Sequence, residues 1–231
     1  MPSLFDVSSA AHALGVHPSR VRSLIAAGEL EAEKIGGRWL VDAASVANRS
    51  RRSSAPGRPL VARNAWAFLL LASGESLSME LDPVARWRLN QSLRTYGLRG
   101  LQPRLVRRGR AQHYWALPGE LIVLHRAEIA RSGASASHAH GMGLVAPDVV
   151  DGYISAADLA RFVRKHALQP ASAVDANVIL RGVEDDAWLL DGRPIAPAAA
   201  VALDLVEYAD PRSRRAGDEL IRRLESEGRS G

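Results

Sequence analysis

Over the first fifty residues the apolar positions change period twice. Val7, Ala10, Ala11 and Leu14 recur at i, i+3, i+4 and i+7, the spacing of one helical face, and Gly15 ends the run. Pro18 opens a second helix, where its fixed φ suits the first position. Val21, Leu24 and Ile25 form the inward stripe of that helix and leave Ser19, Arg20, Arg22, Ser23 and Ala26 pointing out. Beyond Gly28 the segment Leu30 to Val41 sets Ile35, Trp39 and Val41 around Gly36-Gly37, a dipeptide suited to a two-residue hairpin turn whose central residues both need positive φ. Helix, turn, helix, hairpin and a closing helix over residues 4–49 predict a small winged helix-turn-helix, which makes DNA the first suspect.

Asn48 to Pro59, NRSRRSSAPGRP, offers almost nothing to bury and reads as a linker, placed at 50–60. Helices are predicted at Ala65 to Leu71 and at Asp82 to Tyr96, the latter with Asp82 as N-cap and Pro83 at its first position. Two extended stretches follow, Arg104 to Arg108 and Gln112 to Leu117, hinged at Gly109, so helix, helix and hairpin echo the first domain. The spacing then predicts a helix over Pro118 to Arg131, a small-residue loop at 133–143 and a helix over Ile154 to Ala167 capped by Ser155, with Asp158 three residues on. Asn177 to Val183 is apolar and β-branched enough for a strand, with Ala187 to Leu190 a candidate partner. Closing helices are predicted at Pro197 to Tyr208 and from Pro211 to Glu225, with Asp210 as N-cap of the last. Trp66, Trp87, Trp115, Leu89 and Leu93 are assigned to the core. The expected fold class is α+β: a winged helix-turn-helix (1–49), a linker, a basic helix-helix-hairpin subdomain (61–130) resembling a second winged helix, and a C-terminal α/β domain (131–231).

Composition and charge sharpen this picture. With 47% hydrophobic residues the 231-residue chain can bury real cores, and no apolar run approaches the eighteen residues or so of a membrane span. The start, MPSLFDVSS, lacks the basic and apolar regions of a secretory signal, so a cytoplasmic location is expected. The absence of cysteine removes disulfides, thiolate chemistry and cysteine-based zinc sites. Net charge is +5 but uneven, +8 over residues 1–130 and −3 over 131–231, so the front is the part that would meet a polyanion. Only Lys34 and Lys165 are lysines, an arginine bias that discounts arginine counts as evidence of DNA contact.

Candidate DNA contacts follow from chemistry. On the second helix Arg20 and Arg22 can bridge guanine O6 and N7 while Ser19 and Ser23 reach phosphate. Lys34 and Arg38 flank the Gly36-Gly37 tip, where a wing presses cations onto the backbone. In the linker Arg49, Arg51, Arg52 and Arg58 could follow the phosphates, with Gly57-Arg58-Pro59 similar to minor-groove arms. Eight arginines and no acid lie between Arg86 and Arg110, which suggests a second cationic surface at Arg104, Arg107, Arg108 and Arg110.

Two resemblances carry the reading further. The pattern GELEAEKIGGRWLVDAASV resembles the excisionase and MerR-like helix-turn-helix family, in which a Gly-Xaa-Leu step leads from recognition helix into wing. From about residue 56 to 226 the segments PGRPLVARNAWAFLLL, SGASAxH, ISAADLARFVRKHAL, NVILRGV and IAPAAAVALDLVEYADPRSRRAGDELIRRL together look like the AbiEi family of type IV antitoxins. That resemblance implies a winged-helix autorepressor of its own operon, binding inverted repeats if the protein dimerises. It also implies a C-terminal domain that counteracts a nucleotidyltransferase-type toxin encoded alongside, with Asp204, Glu207, Asp210 and the PRSRRAG turn facing the toxin or a second protomer. The excisionase-like head departs from the usual one of that family. The alternative is an excisionase- or MerR-like regulator, or a phage-related architectural DNA-binding protein, whose C-terminal domain binds a partner or ligand.

No enzyme is expected. His138-Xaa-His140 with Asp148 or Asp151 could in principle bind a metal, but no established ligand spacing supports it. Glu184-Asp185-Asp186 lacks the Gly-Ser element and Asp-Xaa-Asp pattern of a nucleotidyltransferase, and Ser135 has neither a nucleophile elbow nor an evident base. No P-loop or dinucleotide fingerprint is present, so no cofactor is expected.

Overall fold

The computed structural model describes residues 4–14, 16–43, 45–46, 49, 58–77, 79–125, 129–144, 146–173, 175–184, 192–208 and 210–228. The chain forms two compact units, Met1–Gly57 and Arg58–Gly231.

In the first unit β1 (Leu4–Asp6) leads into α1 (Val7–Leu14), where Asp6 Oδ1 accepts from Ser9 N at 2.6 Å and caps the helix. Helix α2 (Pro18–Ala26) is capped by the His17 ring, which accepts from Ser19 N. It ends in a Schellman motif, with Gly28 N–H bonding Ile25 O and Glu29 N–H bonding Leu24 O. Strands β2 (Ala32–Ile35) and β3 (Arg38–Asp42) pair antiparallel with Ile35 opposite Arg38, and the turn between them holds Gly36 at φ 58° and Gly37 at φ 81°. Both values demand residues without a Cβ, as the dipeptide predicted. Strand β1, which the apolar period did not reveal, adds to the far side of β3, giving the order β1-β3-β2. The backbone is helical at the described positions after β3, and Val46 there packs with Ala10, Ala11, Val21, Leu24, Leu30 and Val41 in one core.

The second unit is a three-layer α/β body. Its five-stranded sheet has the order β5-β6-β8-β4-β7, built from β4 (Arg110–Trp115), β5 (Ala130–Arg131), β6 (Val150–Ser155), β7 (Gln169–Pro170) and β8 (Val178–Val183). Strands β6 and β8 run parallel, joined through α7 (Ala156–Lys165), and β4 runs antiparallel to β8. Because successive strand residues face opposite sides, Val150, Ile154, Val178 and Leu180 pack toward α5 (Pro118–Leu124) and α7. Tyr153 and Val183 face the other layer, formed by α3 (Ala62–Ala72), α4 (Pro83–Leu101), α8 (Ala198–Glu207) and α9 (Pro211–Glu227). Helix α8 is buried from Ala199 through Leu205, as an AAAVALDL helix apolar at every position but Asp204 must be.

Several expectations are corrected. Residues 102–108 are not a strand but two 3₁₀ turns, and β4 pairs with β8 and β7 instead of with them, so the helix-helix-hairpin echo is not a second winged helix. The stretches 61–130 and 131–231 share one sheet and one unit. The helix from Pro118 stops at Leu124, since Ala130–Arg131 pairs as β5 with Gly152 and Tyr153. The small-residue stretch begins with a short helix, α6 (Gly133–Ala136), and a 3₁₀ turn over Ser137–His140. Ile154 belongs to β6, and α7 starts after Ser155, whose side chain makes no capping bond. Most of the linker and residues 187–190 lie outside the described residues.

Candidate nucleic-acid interface

Helix α2 presents the residues that the apolar stripe left over. Val21 and Leu24 are buried, Ile25 is half-buried, and Ser19, Arg20, Arg22, Ser23 and Ala26 are exposed. Arg20 and Arg22 have no ion pair or hydrogen bond to another described residue, so both guanidinia are free for a ligand. The two serines are engaged locally: Ser23 Oγ donates to Ser19 O at 3.1 Å, and Ser19 Oγ lies 2.9 Å from His17 Nδ1. They shape the helix start as well as offering hydroxyls. At the wing Lys34, Gly36, Gly37 and Arg38 are exposed, and Lys34 Nζ sits 6.0 Å from the centre of the Trp39 ring, which places its charge beside the turn. Ile35 at the tip is also exposed, an apolar group set between two cations.

The arrangement is a cationic helix beside a cationic two-strand wing, held by one small core. A helix-turn-helix domain family model matches residues 4–48. The first unit is therefore similar to a helix-turn-helix domain, which supports DNA binding. No curated protein and no solved structure matches the chain.

The remaining predicted contacts fare unevenly. Arg51 and Arg52 lie outside the described residues, Arg49 is paired with Glu29, and Arg58 is exposed. Of the second cationic group, Arg107 and Arg110 are exposed, but Arg104 is half-buried and its Nε donates to Arg58 O at 3.0 Å. Arg108 is buried and unavailable to DNA because two acids claim it: its guanidinium reaches Asp204 Oδ1 at 3.0 Å and Glu207 Oε1 at 2.7 Å.

Arg108 belongs to a cluster that the sequence did not reveal. Asp204 also accepts from Ser132 Oγ at 2.5 Å and from Tyr153 Oη at 3.0 Å, and Arg181 Nε lies 3.3 Å from its Oδ1. Arg181 pairs with Asp151 as well, and Tyr208 Oη donates to Asp151 at 2.7 Å. Asp151 and Asp204 are both 0% exposed, so Asp204 cannot face a partner as the antitoxin resemblance implied. The two buried carboxylates, joined by the more exposed Glu207, answer two buried guanidinia, which is how buried charge is tolerated. Burial pushes the Asp151 carboxyl up to about 6 against the pull of Arg181. Burial works against the Arg181 charge, yet Asp151 and Asp204 hold its guanidinium above the ordinary arginine value. The chemistry on offer is structural cross-linking, with every charge answered inside the cluster.

Among the described residues no group of three or more His, Asp or Glu side chains could hold a metal ion. His138 is exposed and His140 half-buried, while Asp151 is committed to Arg181. Within the same residues no helix is long and apolar enough to cross a membrane.

Proposed function

We propose that the protein is a DNA-binding transcriptional autorepressor and antitoxin that acts against a nucleotidyltransferase-type toxin encoded alongside it. The observation that carries the regulatory half is the pair of guanidinia, Arg20 and Arg22, without a partner among the described residues, on the outward face of α2 in the unit that also holds the Gly36-Gly37 wing. In this reading α2 lies in the major groove, Arg20 and Arg22 address base edges, and Lys34 and Arg38 sit on phosphate. Occupancy of the promoter blocks transcription. The antitoxin half rests on the resemblance of residues 56–226 to the AbiEi family, whose ISAADLARFVRKHAL and NVILRGV segments correspond to α7 and β8 here.

Titration against the native promoter and a scrambled duplex at two salt concentrations tests the first half, because backbone binding collapses with salt while base reading survives. Preference for the promoter is expected; equal, salt-sensitive affinity for both duplexes refutes autorepression. Co-expression with the neighbouring toxin gene tests the second: growth is restored by the full chain and not by a chain lacking the second unit.

One feature favours the other reading, a regulator responsive to a ligand. A cavity of about 760 Å³ opens between α3, α4 and α9, lined by polar groups that include Asn90, Arg94 and Glu225. A small molecule that raises the melting temperature and changes promoter affinity would select it.

A further inference from the structure

Helix α4 was expected to bury Trp87 and instead displays it, at 62% exposure. The residues around it follow helical geometry. Val84, Trp87, Arg88, Gln91, Arg94 and Thr95 are exposed on one face, while Leu89 is buried and Ala85, Ser92 and Leu93 are half-buried on the other. Trp87 has no ring contact, and Arg88 and Arg94 no ion pair or hydrogen bond, with any other described residue. Three acids near this helix already serve other groups. Asp82 caps its start by accepting from Ala85 N at 2.9 Å, Glu225 Oε1 accepts from Leu98 N at 2.9 Å, and Asp218 pairs with Arg99 at 2.8 Å. From Pro83 to Gly119 the chain contains no acidic residue. What remains is an exposed cationic face that carries Trp87, Arg88 and Gln91 and runs at Arg94 and Thr95 into the mouth of the cavity, which Glu225 and Glu227 also line.

We propose that this face is a second contact for duplex DNA, seated on the sugar–phosphate backbone beside the site held by the helix-turn-helix. Arg88 and Arg94 neutralise phosphates, Gln91 donates to them, and Val84 and Trp87 pack on deoxyribose. Such a contact carries no sequence information. It gains its strength from covalent attachment to the first unit, which keeps the face at high effective concentration near the DNA already bound. The proposal rests on the first unit binding duplex DNA, and replaces the Arg104 to Arg110 surface by one whose charges are free.

The experiment uses the full chain with two duplexes, one limited to the promoter site and one extended on both sides, each titrated over a range of salt. Wild type is expected to bind the extended duplex more tightly. Arg88→Gln with Arg94→Gln is expected to erase that advantage and to reduce the slope of log affinity against log salt by roughly 2, at about 0.9 per lost phosphate contact. Restoring charge with Arg88→Lys and Arg94→Lys returns the slope, and Trp87→Ala weakens binding several-fold with the slope unchanged. All these side chains are exposed, so melting temperatures should match wild type. Identical slopes and affinities for wild type and the glutamine variant would overturn the proposal. So would a loss confined to single-stranded DNA, which would assign the face to unpaired strands. The companion variant Arg20→Ala with Arg22→Ala separates the two surfaces: it removes promoter preference, while the α4-dependent part of the salt slope persists.

Discussion

Asp204 and Arg20 mark the two fates of a charged side chain here. Asp204 lies between Arg108 and Arg181 inside the protein, so Asp204→Ala leaves two buried guanidinia undercompensated and should cost about 3–5 kcal/mol of stability, read by thermal or urea unfolding. Arg20 is exposed and unpaired, so Arg20→Ala should leave stability unchanged while lowering promoter affinity by about 1–3 kcal/mol and relaxing preference at one base pair. Equal loss on random DNA would make Arg20 a phosphate contact. Asp151 adds a pH dependence. Its folded value of about 6 lies above the ordinary 3.8, so the fold favours the protonated carboxyl. That contribution is complete below about pH 4 and disappears as pH rises through about 6. The denaturation midpoint should therefore fall more between pH 5 and pH 7 in wild type than in Asp151→Asn. The helical pattern around it could mark Arg20 as exposed because that exposure is a local property. It could not identify Arg108, whose partners stand 96 and 99 positions further along.

At the level of elements, legibility followed periodicity. Helices α1, α2, α8 and α9 and strand β8 are evident because each carries a regular apolar spacing or a β-branched run, and α2, α8 and α9 also have a proline at or beside their start. Strand β6 was missed because its alternate residues Asp151 and Tyr153 face the buried charge cluster, so VDGYIS does not look like a core strand. Helix α4 shows a different limit: its end was placed at Tyr96, but a second helical piece follows a break at Gly97, held at φ 66° and ψ 179°. That conformation is nearly exclusive to glycine, and a Cβ there would overlap the Glu225 carboxylate. Gly97→Ala should cost about 1–3 kcal/mol on those grounds. Glu225→Ala should cost about 0.5–2 kcal/mol, as the loss of an N-cap does, because the carboxylate serves the N–H groups of Leu98 and Arg99. The two variants share one interaction, so a double-mutant cycle should show sub-additive losses.

For the whole molecule, the division at residue 57 separates two ways of becoming stable. The first unit is assembled from contacts close in sequence: its core residues run from Ala10 to Val46. The second also relies on partners far apart, with Arg108, Asp151, Arg181 and Asp204 meeting in one place and Leu98 bonded to Glu225. This contrast has a temporal side, since chains emerge from the ribosome N-terminus first and domains fold as they emerge. The helix-turn-helix unit is complete before the second unit begins to be made. The second unit must wait for Asp204, and until that carboxylate arrives Arg108 and Arg181 have no common anchor. Interrupted translation therefore yields a fragment with a finished helix-turn-helix head and an unfinished body.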